Sequence, residues 1–156
     1  MRIRRIHFLE ECLKEFDAHC AQYREKETGG VLLGRLVNET MIVTTISGPG
    51  PNAIHEPLYF KADKNYIDMV IDLEFANSEG GIVYLGEWHT HPQVKPYPSE
   101  QDLSSLSEIA FSAQSPKILL ILGAINFSIE KARQQSIVIL KHPEKEEFIQ
   151  YPFELN

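Results

Sequence analysis

The sequence predicts an α/β or α+β fold in which helices flank a mostly mixed β-sheet. Two observations predict this class. Amphipathic segments with a helical period alternate with short apolar segments of strand length. The pair Asn38-Glu39 separates two strand-like segments, which indicates a hairpin and therefore antiparallel pairing. The chain has 156 residues, 43% of them hydrophobic, so we expect one domain over residues 1–156 with a substantial core.

The first half of the chain predicts two helices. Apolar residues recur at steps of three and four from Phe8 to Cys20, which predicts a helix that ends near Tyr23. Asp63 is the predicted N-cap of a second helix, which Gly80 and Gly81 end. Gly29-Gly30 indicates a turn or a close backbone approach. The predicted strands are a short one at Ile3–Ile6, then Val31–Gly34, Met41–Ile46 and Leu58–Phe60.

The second half predicts strands around a third helix. Ile82–Leu85 is a predicted core strand, and Lys117–Leu122 is apolar enough for a central strand. Ser136–Leu140 and Phe148–Phe153 are predicted strands, the latter at a sheet edge because it contains Pro152. The third helix starts at Ser99, with these residues predicted to face inward: Leu103, Leu106, Ile109, Ala110 and Phe111.

Charge and composition exclude several classes of protein. The formal net charge of −7 disfavours binding to phosphate backbones, so we expect no nucleic-acid partner. The polar N-terminal region does not fit a signal peptide, and no apolar segment is long enough to span a membrane, so we expect a cytoplasmic protein. Cys12 and Cys20 form no metal or redox motif, and we interpret them as buried apolar residues.

The chemistry concentrates in the segment Gly86–Asp102. His89 and His91 are one residue apart, Ser99 follows after seven residues, and Asp102 lies one helical turn beyond it. Residues i and i+2 of a strand share a face, so both imidazoles can reach one ion. Residues i and i+3 of a helix also share a face. Two histidines and one carboxylate leave a fourth position open, which is typical of a catalytic zinc site.

A hydrolytic zinc site also needs a carboxylate that moves protons without binding the metal. The candidates are Glu25, Glu27, Glu56 and Glu87. Glu27 is the first choice because it directly precedes Thr28 and two glycines at the start of a predicted core strand. Glu87 is the second choice, since it shares the face of the histidines only if the strand is regular.

Each feature also has a simpler explanation. Paired histidines on a strand are more often ordinary hydrogen-bonded residues than metal ligands. Ser99 and Asp102 fit a capping box at a helix N-terminus, a role that is compatible with catalysis. His7, His19, His55 and His142 have no comparable neighbours in the sequence, and we interpret them as non-ligands. The joint spacing of the motif favours function over these explanations.

Together these residues resemble the complete motif of the JAMM metalloproteases, also called the JAB/MPN family. The resemblance covers the chain from about Glu27 to about Leu122. It implies a cytidine-deaminase-like sandwich and one Zn²⁺ per chain, bound by His89, His91 and Asp102 with a water as the fourth ligand. It further implies that Glu27 moves the proton of that water, and that Ser99 donates a hydrogen bond to the oxyanion of the tetrahedral intermediate.

Within this family, the chain most resembles the short bacterial JAB proteins found with ubiquitin-like conjugation enzymes. The residues that carry this resemblance are the segments Tyr84–Pro92 and Gly48–Pro51 and the spaced residues Pro96, Pro98 and Ser99. It implies an isopeptidase that acts after the C-terminus of a conjugated protein, reversing conjugation of a cyclic-dinucleotide synthase in CBASS anti-phage defence. The partners implied are that protein and the activating and conjugating enzymes. We also expect the substrate to present an extended C-terminal tail along a sheet edge, because a protease must remove local structure to reach a peptide bond.

Two alternatives remain at this point. One is a JAB peptidase that processes a sulfur-carrier-like β-grasp protein. The other, of a different class, is a zinc-bearing scaffold or binding module without turnover. The presence of the full ligand set with Glu27 disfavours the scaffold.

Overall fold

The computed structural model describes residues 2–92, 95–123 and 134–155. Its helices are α1 (Glu11–Gln22), α2 (Lys64–Asn77) and α3 (Glu100–Ala113). Its strands are β1 (Arg5–Phe8), β2 (Gly29–Val37), β3 (Thr40–Ile46), β4 (Ile54–Glu56), β5 (Tyr59–Lys61), β6 (Val83–Thr90), β7 (Lys117–Leu122), β8 (Ser136–Lys141), β9 (Phe148–Tyr151) and β10 (Glu154–Leu155). The predicted mixed sheet flanked by helices is confirmed.

Eight strands form one mixed sheet in the order β10-β1-β3-β2-β6-β7-β8-β9, and β4 and β5 form a separate two-stranded hairpin. The predicted turn at Asn38-Glu39 joins β2 and β3, with both residues at positive φ. The strands β6 and β7 are parallel and lie near the middle of the sheet. The histidine pair His89 and His91 therefore lies near the middle of the sheet, where β6 ends.

The sheet packs against helices on both faces. On one face α1 places Phe16 against Trp88 of β6, with their ring centroids 5.0 Å apart. On the other face α3 packs Leu106 against the alternate residues of β7 and β8, and α2 packs Ile67 against β2. Side chains of a strand alternate between faces. Because Trp88 points toward α1, His89 must point toward α2 and α3.

The sheet also curls until its two edges approach each other. Only Pro152 and Phe153 separate β9 at one edge from β10 at the other. The hydroxyl of Tyr151 donates to the carbonyl oxygen of Ile3 at 2.5 Å. The ring of Phe153 stacks on that of Phe8 at 4.8 Å. The predicted edge strand is thus present, but it ends at Tyr151 and is followed by a strand on the opposite edge.

Two sequence interpretations need correction. Phe8 belongs to β1 and not to the first helix, because it pairs with Val43 of β3. Phe111 does not face inward and is 68% exposed. The buried residues of α3 are Leu106 and Ala110, and Phe111 lies a further ~100° around the helix from Ala110.

The predicted N-cap of α2 and the predicted burial of both cysteines are confirmed. Asp63 caps α2 by accepting a hydrogen bond from the backbone N–H of Tyr66. Cys12 and Cys20 are buried and form no disulfide, and burial raises the pKa of each thiol to about 12. Within the described ranges, no helix combines the length and apolar character needed to cross a lipid bilayer.

Candidate metal centre

The imidazoles of His89 and His91 converge on one point above the end of β6. Their Nε2 atoms lie 3.0 Å apart. The carboxylate of Asp102 reaches the same point from α3, with Oδ1 3.5 Å from His89 Nε2 and Oδ2 3.4 Å from His91 Nε2. The strand and helix periodicities therefore bring the three predicted ligands together.

These separations fit one ion. Ligand atoms at about 2.0–2.1 Å from a tetrahedral metal are about 3.3 Å from one another. The observed separations of 3.0, 3.4 and 3.5 Å lie close to that edge length. The donor set of two imidazoles and a carboxylate also suits zinc and similar divalent metals. The three residues could therefore hold a metal ion.

The ring orientation of His91 is fixed by a hydrogen bond on its far side. Its Nδ1 donates to the carbonyl oxygen of Lys95 at 3.4 Å. That bond places the proton on Nδ1 and leaves the lone pair of Nε2 directed at the common point. The side chain is also buried, with 6% of its surface exposed, so little water competes for that lone pair.

Ser99 and Asp102 form the predicted capping box of α3. The Ser99 hydroxyl oxygen accepts from the Asp102 backbone N–H at 3.1 Å, and Asp102 Oδ2 accepts from the Ser99 backbone N–H at 2.9 Å. The second bond orients the carboxylate toward the histidines. The first uses the oxygen of Ser99 only as an acceptor, so the cap does not consume its hydroxyl proton.

Glu27 lies beside the two histidines, immediately before β2. One ligand atom each from Glu27, His89 and His91 lie within 4.8 Å of one another. The side chain is buried at 8% exposure. Burial raises the pKa of the Glu27 carboxyl, an effect that the nearby histidines reduce but do not cancel. A buried carboxyl with a raised pKa suits proton transfer near neutral pH.

Backbone contacts with the hairpin formed by β4 and β5 fix the position of Glu27. Its N–H donates to the carbonyl oxygen of Glu56 at 2.8 Å, and its carbonyl oxygen accepts from His55 Nδ1 at 3.0 Å. The His55 ring stacks on Tyr23 with centroids 3.7 Å apart. His55 is interpreted from the sequence as a non-ligand. Its hydrogen bond to the Glu27 carbonyl oxygen could not be predicted, because the sequence carries no signal for it.

The glycine pair following Glu27 permits the close approach of β2 to β6. Gly29 pairs with His89 in the antiparallel ladder, and a Cβ at Gly29 would collide with the carbonyl oxygen of Trp88. Next to it, the Thr28 N–H donates to the Thr90 hydroxyl at 3.0 Å. Of the two possibilities predicted for this pair, the structure has the close approach and not the turn.

The other candidate carboxylates lie outside the group formed by Glu27 and the two histidines. Glu25 and Glu56 are exposed. Glu87 lies on β6 and accepts a hydrogen bond from the Tyr84 hydroxyl at 3.2 Å. Burial raises the pKa of the Glu87 carboxyl, although the Tyr84 hydrogen bond and His89 lower it. Glu27 therefore stays the first choice, because it is the glutamate grouped with both histidines.

The remaining histidines have other contacts. His7 lies 3.0 Å from a Glu154 carboxylate oxygen, and His19 packs against Trp88 with ring centroids 5.9 Å apart. His142 is buried. None of these belongs to a candidate metal-binding group among the residues that the structure describes.

A groove with a volume of about 1350 Å³ leads to the three predicted ligands. One wall is formed by the β4–β5 hairpin and α2, including Tyr59 and Ile71, and the other by α3, including Ser105 and Ile109. The arrangement places two imidazoles and two carboxylates that could hold a metal ion at one end of an open groove.

We expect metal affinity to fall as the pH is lowered through the pKa of His91. Burial lowers the pKa of His91, but the hydrogen bond and charge of Asp102, together with Glu27, raise it above the ordinary value. Because a proton on Nε2 displaces the metal, the loss begins at a higher pH than for an ordinary histidine, whose pKa is about 6.5. Zinc titrations against a chromophoric chelator across this range would measure it.

Protonation of Asp102 does not account for the loss of metal affinity as the pH is lowered. Burial raises its pKa, but hydrogen bonds with His89 and His91 outweigh burial and hold the pKa of the carboxyl well below its usual range. The control is His142→Gln, which should leave the pH dependence unchanged. A zinc affinity that stays constant down to about pH 5 would contradict the expectation.

Comparison with known proteins identifies the family. A family model described as prokaryotic homologs of the JAB domain matches residues 9–139, and the chain belongs to this family. It is similar to a CD-NTase/cGAS isopeptidase of Escherichia coli (strain TW11681), with 34% identity over 76% of each chain. A CD-NTase/cGAS isopeptidase of Vibrio cholerae is 33% identical over 74% of this chain and 73% of its own.

A solved structure supports the fold. The solution structure of a protein from Desulfitobacterium hafniense superposes with a TM-score of 0.69, covering 97% of this chain and 92% of its own. Its sequence identity is 20%, so the likeness concerns the fold alone.

Proposed function

We propose that this protein is a zinc-dependent isopeptidase that hydrolyses the bond after the C-terminal residue of a conjugated protein. We further propose that the conjugated protein is a CD-NTase, a cyclic-dinucleotide synthase of bacterial anti-phage defence. The observation that carries the proposal is the convergence of His89, His91 and Asp102 beside Glu27 in an open groove. The names of the Escherichia coli and Vibrio cholerae relatives support the reaction and the substrate.

In this proposal His89, His91 and Asp102 hold the zinc ion. Bound zinc would supply Lewis-acid polarisation of the scissile carbonyl and would lower the pKa of the attacking water. Glu27 accepts a proton from that water as its oxygen adds to the carbonyl carbon. As the carbon–nitrogen bond breaks, Glu27 delivers the proton to the leaving amine. The products are a free C-terminal carboxylate and the lysine amine of the acceptor.

Ser99 serves both the helix and the reaction in this proposal. Its hydroxyl oxygen accepts the capping hydrogen bond from the Asp102 N–H. Its O–H group donates a separate hydrogen bond to the developing oxyanion. The two roles are compatible because one uses a lone pair and the other the O–H group.

We expect Ser99→Ala to lower kcat by roughly 10²–10³-fold, the usual effect of removing one oxyanion donor. It also removes the cap of α3, at a cost of about 1 kcal/mol in folding stability. The matched control is Asp63→Ala, which removes the cap of α2 and should lose similar stability with little loss of kcat. Ser99→Thr retains the hydroxyl and should recover most of the activity. Equal kcat values for Ser99→Ala and Asp63→Ala would refute the oxyanion role.

The proposed function is tested with a CD-NTase joined through its C-terminal carboxyl to a lysine of a carrier protein. Zinc-loaded enzyme should release CD-NTase with an intact C-terminus, as measured by intact mass, and a chelator should prevent release. Cleavage that a chelator does not affect, or no cleavage, would contradict the proposal.

The two alternatives from the sequence are not favoured by the relatives, which are named as isopeptidases or, for one of Sinorhizobium fredii, as a probable metalloprotease. A tailed β-grasp protein included as a second substrate would separate processing of sulfur carriers from deconjugation. A scaffold would bind zinc and cleave neither substrate.

A further inference from the structure

Glu87 is a groove carboxylate that the proposed mechanism does not use. It lies two residues before His89 on β6 and lines the groove that leads to the predicted ligands. Two residues of a strand span about 6.6 Å. An extended tail that ends at the ligands and lies along β6 would therefore pass over Glu87 near its third residue from the scissile bond.

A β-bulge in β6 sets the position of this carboxylate. The register of β2 on β6 changes from Leu32 opposite Gly86 to Leu33 opposite Tyr84, which leaves the intervening residue of β6 unpaired. Gly86 has a φ of +155°, and a Cβ there would collide with the carbonyl oxygen of Ile118. The bulge shifts by one residue the alternation of β6 side chains between the two faces of the sheet. Tyr84 and Glu87 therefore both face the groove, and the Tyr84 hydroxyl donates to Glu87 Oε1.

The Glu87 carboxylate accepts a hydrogen bond from the Tyr84 hydroxyl. Among the residues that the structure describes, no Lys or Arg side chain forms an ion pair with it. The charged residues on the facing walls include Lys61, Lys64, Asp68 and Glu108, and the Lys64 side chain pairs with Asp68 at 2.6 Å. A partly buried carboxylate without a cation is unfavourable for folding, and a ligand with a cationic group would offset that cost.

We propose that Glu87 is a specificity-determining residue that selects a substrate tail with a basic side chain at the third residue before the scissile bond. The inference rests on the proposed isopeptidase function for the identity of the groove as the tail site. Tyr84 donates to one carboxylate oxygen, and in this proposal the other oxygen accepts from a lysine or arginine of the tail. Such a charge-assisted hydrogen bond favours the basic tail over a neutral one by roughly 10- to 100-fold.

The test separates tail binding from cleavage. Fluorescent eight-residue tail peptides with a free C-terminus carry Lys, Ala or Glu at the third residue from the end, and their affinities are measured by anisotropy with zinc-loaded and metal-free protein. We expect the Lys peptide to bind at least ~10-fold more tightly than the Ala peptide and the Glu peptide to bind most weakly. Glu87→Gln should abolish the preference, and Glu87→Lys should reverse it. The matched control Glu108→Gln should retain it.

The same tails joined to a lysine side chain through an isopeptide bond give the cleavage readout. The preference should then appear mainly in KM, with kcat changed little by Glu87→Gln. A kcat that falls equally for all three tails would overturn the inference, because Glu87 would then act through His89 and not on the tail. Absence of a charge preference in peptide binding would overturn it as well.

Thermal stability gives a third readout. Since no described Lys or Arg side chain pairs with Glu87, Glu87→Gln should leave the melting temperature unchanged or raise it. A large decrease would assign the residue a structural role and overturn the inference. Charge-selective binding without cleavage of any isopeptide would count against the proposed function and would leave the role of Glu87 in tail selection intact.

Discussion

Glu27→Gln is expected to reduce hydrolysis of the conjugate by roughly 10²–10⁴-fold, the usual contribution of a general base, without releasing the metal. The amide has nearly the shape of the carboxyl but cannot accept and return a proton. Its backbone contacts with His55 and Glu56 do not involve the side chain, so the fold should be unchanged. Single-turnover kinetics with zinc content measured on the same sample would check this.

The matched control is Glu25→Gln, two residues earlier on the exposed connector. It makes the same change of charge outside the group formed by Glu27 and the histidines, and should keep full activity. If Glu27→Gln hydrolysed the conjugate at the wild-type rate, Glu27 could not be the base, and Glu87 would be the next residue to test.

The Asp102→Asn variant should lose most of its bound zinc. The substitution replaces the anionic member of the predicted ligand set with a neutral amide, so affinity should fall by more than the ~10–100-fold that outer-shell partners typically contribute. The amide oxygen can still accept the Ser99 N–H, so the capping bond of α3 and the stability of the metal-free protein should change little. The increase in melting temperature on adding zinc should largely disappear.

Asp68→Asn serves as the control for Asp102→Asn, because it removes a carboxylate from the wall of the same groove, where it pairs with Lys64. Zinc affinity and the zinc-dependent increase in melting temperature should remain at wild-type values. One zinc per chain in Asp102→Asn, at wild-type affinity, would exclude Asp102 as a ligand.

The candidate metal centre was largely predictable because its spacing is local. His89 and His91 share a face through the two-residue repeat of a strand, and Ser99 and Asp102 through the turn of a helix. These periodicities hold whatever the tertiary structure. Glu27 was a weaker inference, since its approach to the histidines depends on the pairing of β2 with β6 across a long stretch of sequence.

The contacts that support the centre could not be predicted in the same way. His55 and Lys95 act through hydrogen bonds with backbone carbonyl groups, which every residue possesses and which leave no mark in the sequence. The bulge at Gly86 shifts the alternation of β6 by one residue, and a regular two-residue repeat cannot show such a shift. The pairing of Tyr84 with Glu87 follows from it.

The fold class was predictable from periodicity, but the arrangement of its edges was not. Nothing in the segment from Phe148 to Phe153 indicates that the next two residues pair with β1 on the far edge. The exposure of Phe111 could not be predicted for a related reason. Helical spacing defines an apolar stripe, but it does not show how far the sheet that covers the helix extends.

The closure of the sheet at Pro152 and Phe153 has a kinetic consequence. The hydrogen bond from Tyr151 to Ile3 joins residues 148 positions apart, so its loop-closure entropy is among the largest available to a chain of this length. Long-range pairing of this kind slows folding, and β10 cannot pair with β1 until Leu155 has emerged from the ribosome. Before then β1 can pair with β3, and its second edge stays open to another nascent chain. Aggregation during translation should therefore depend on how quickly β10 emerges and pairs with β1.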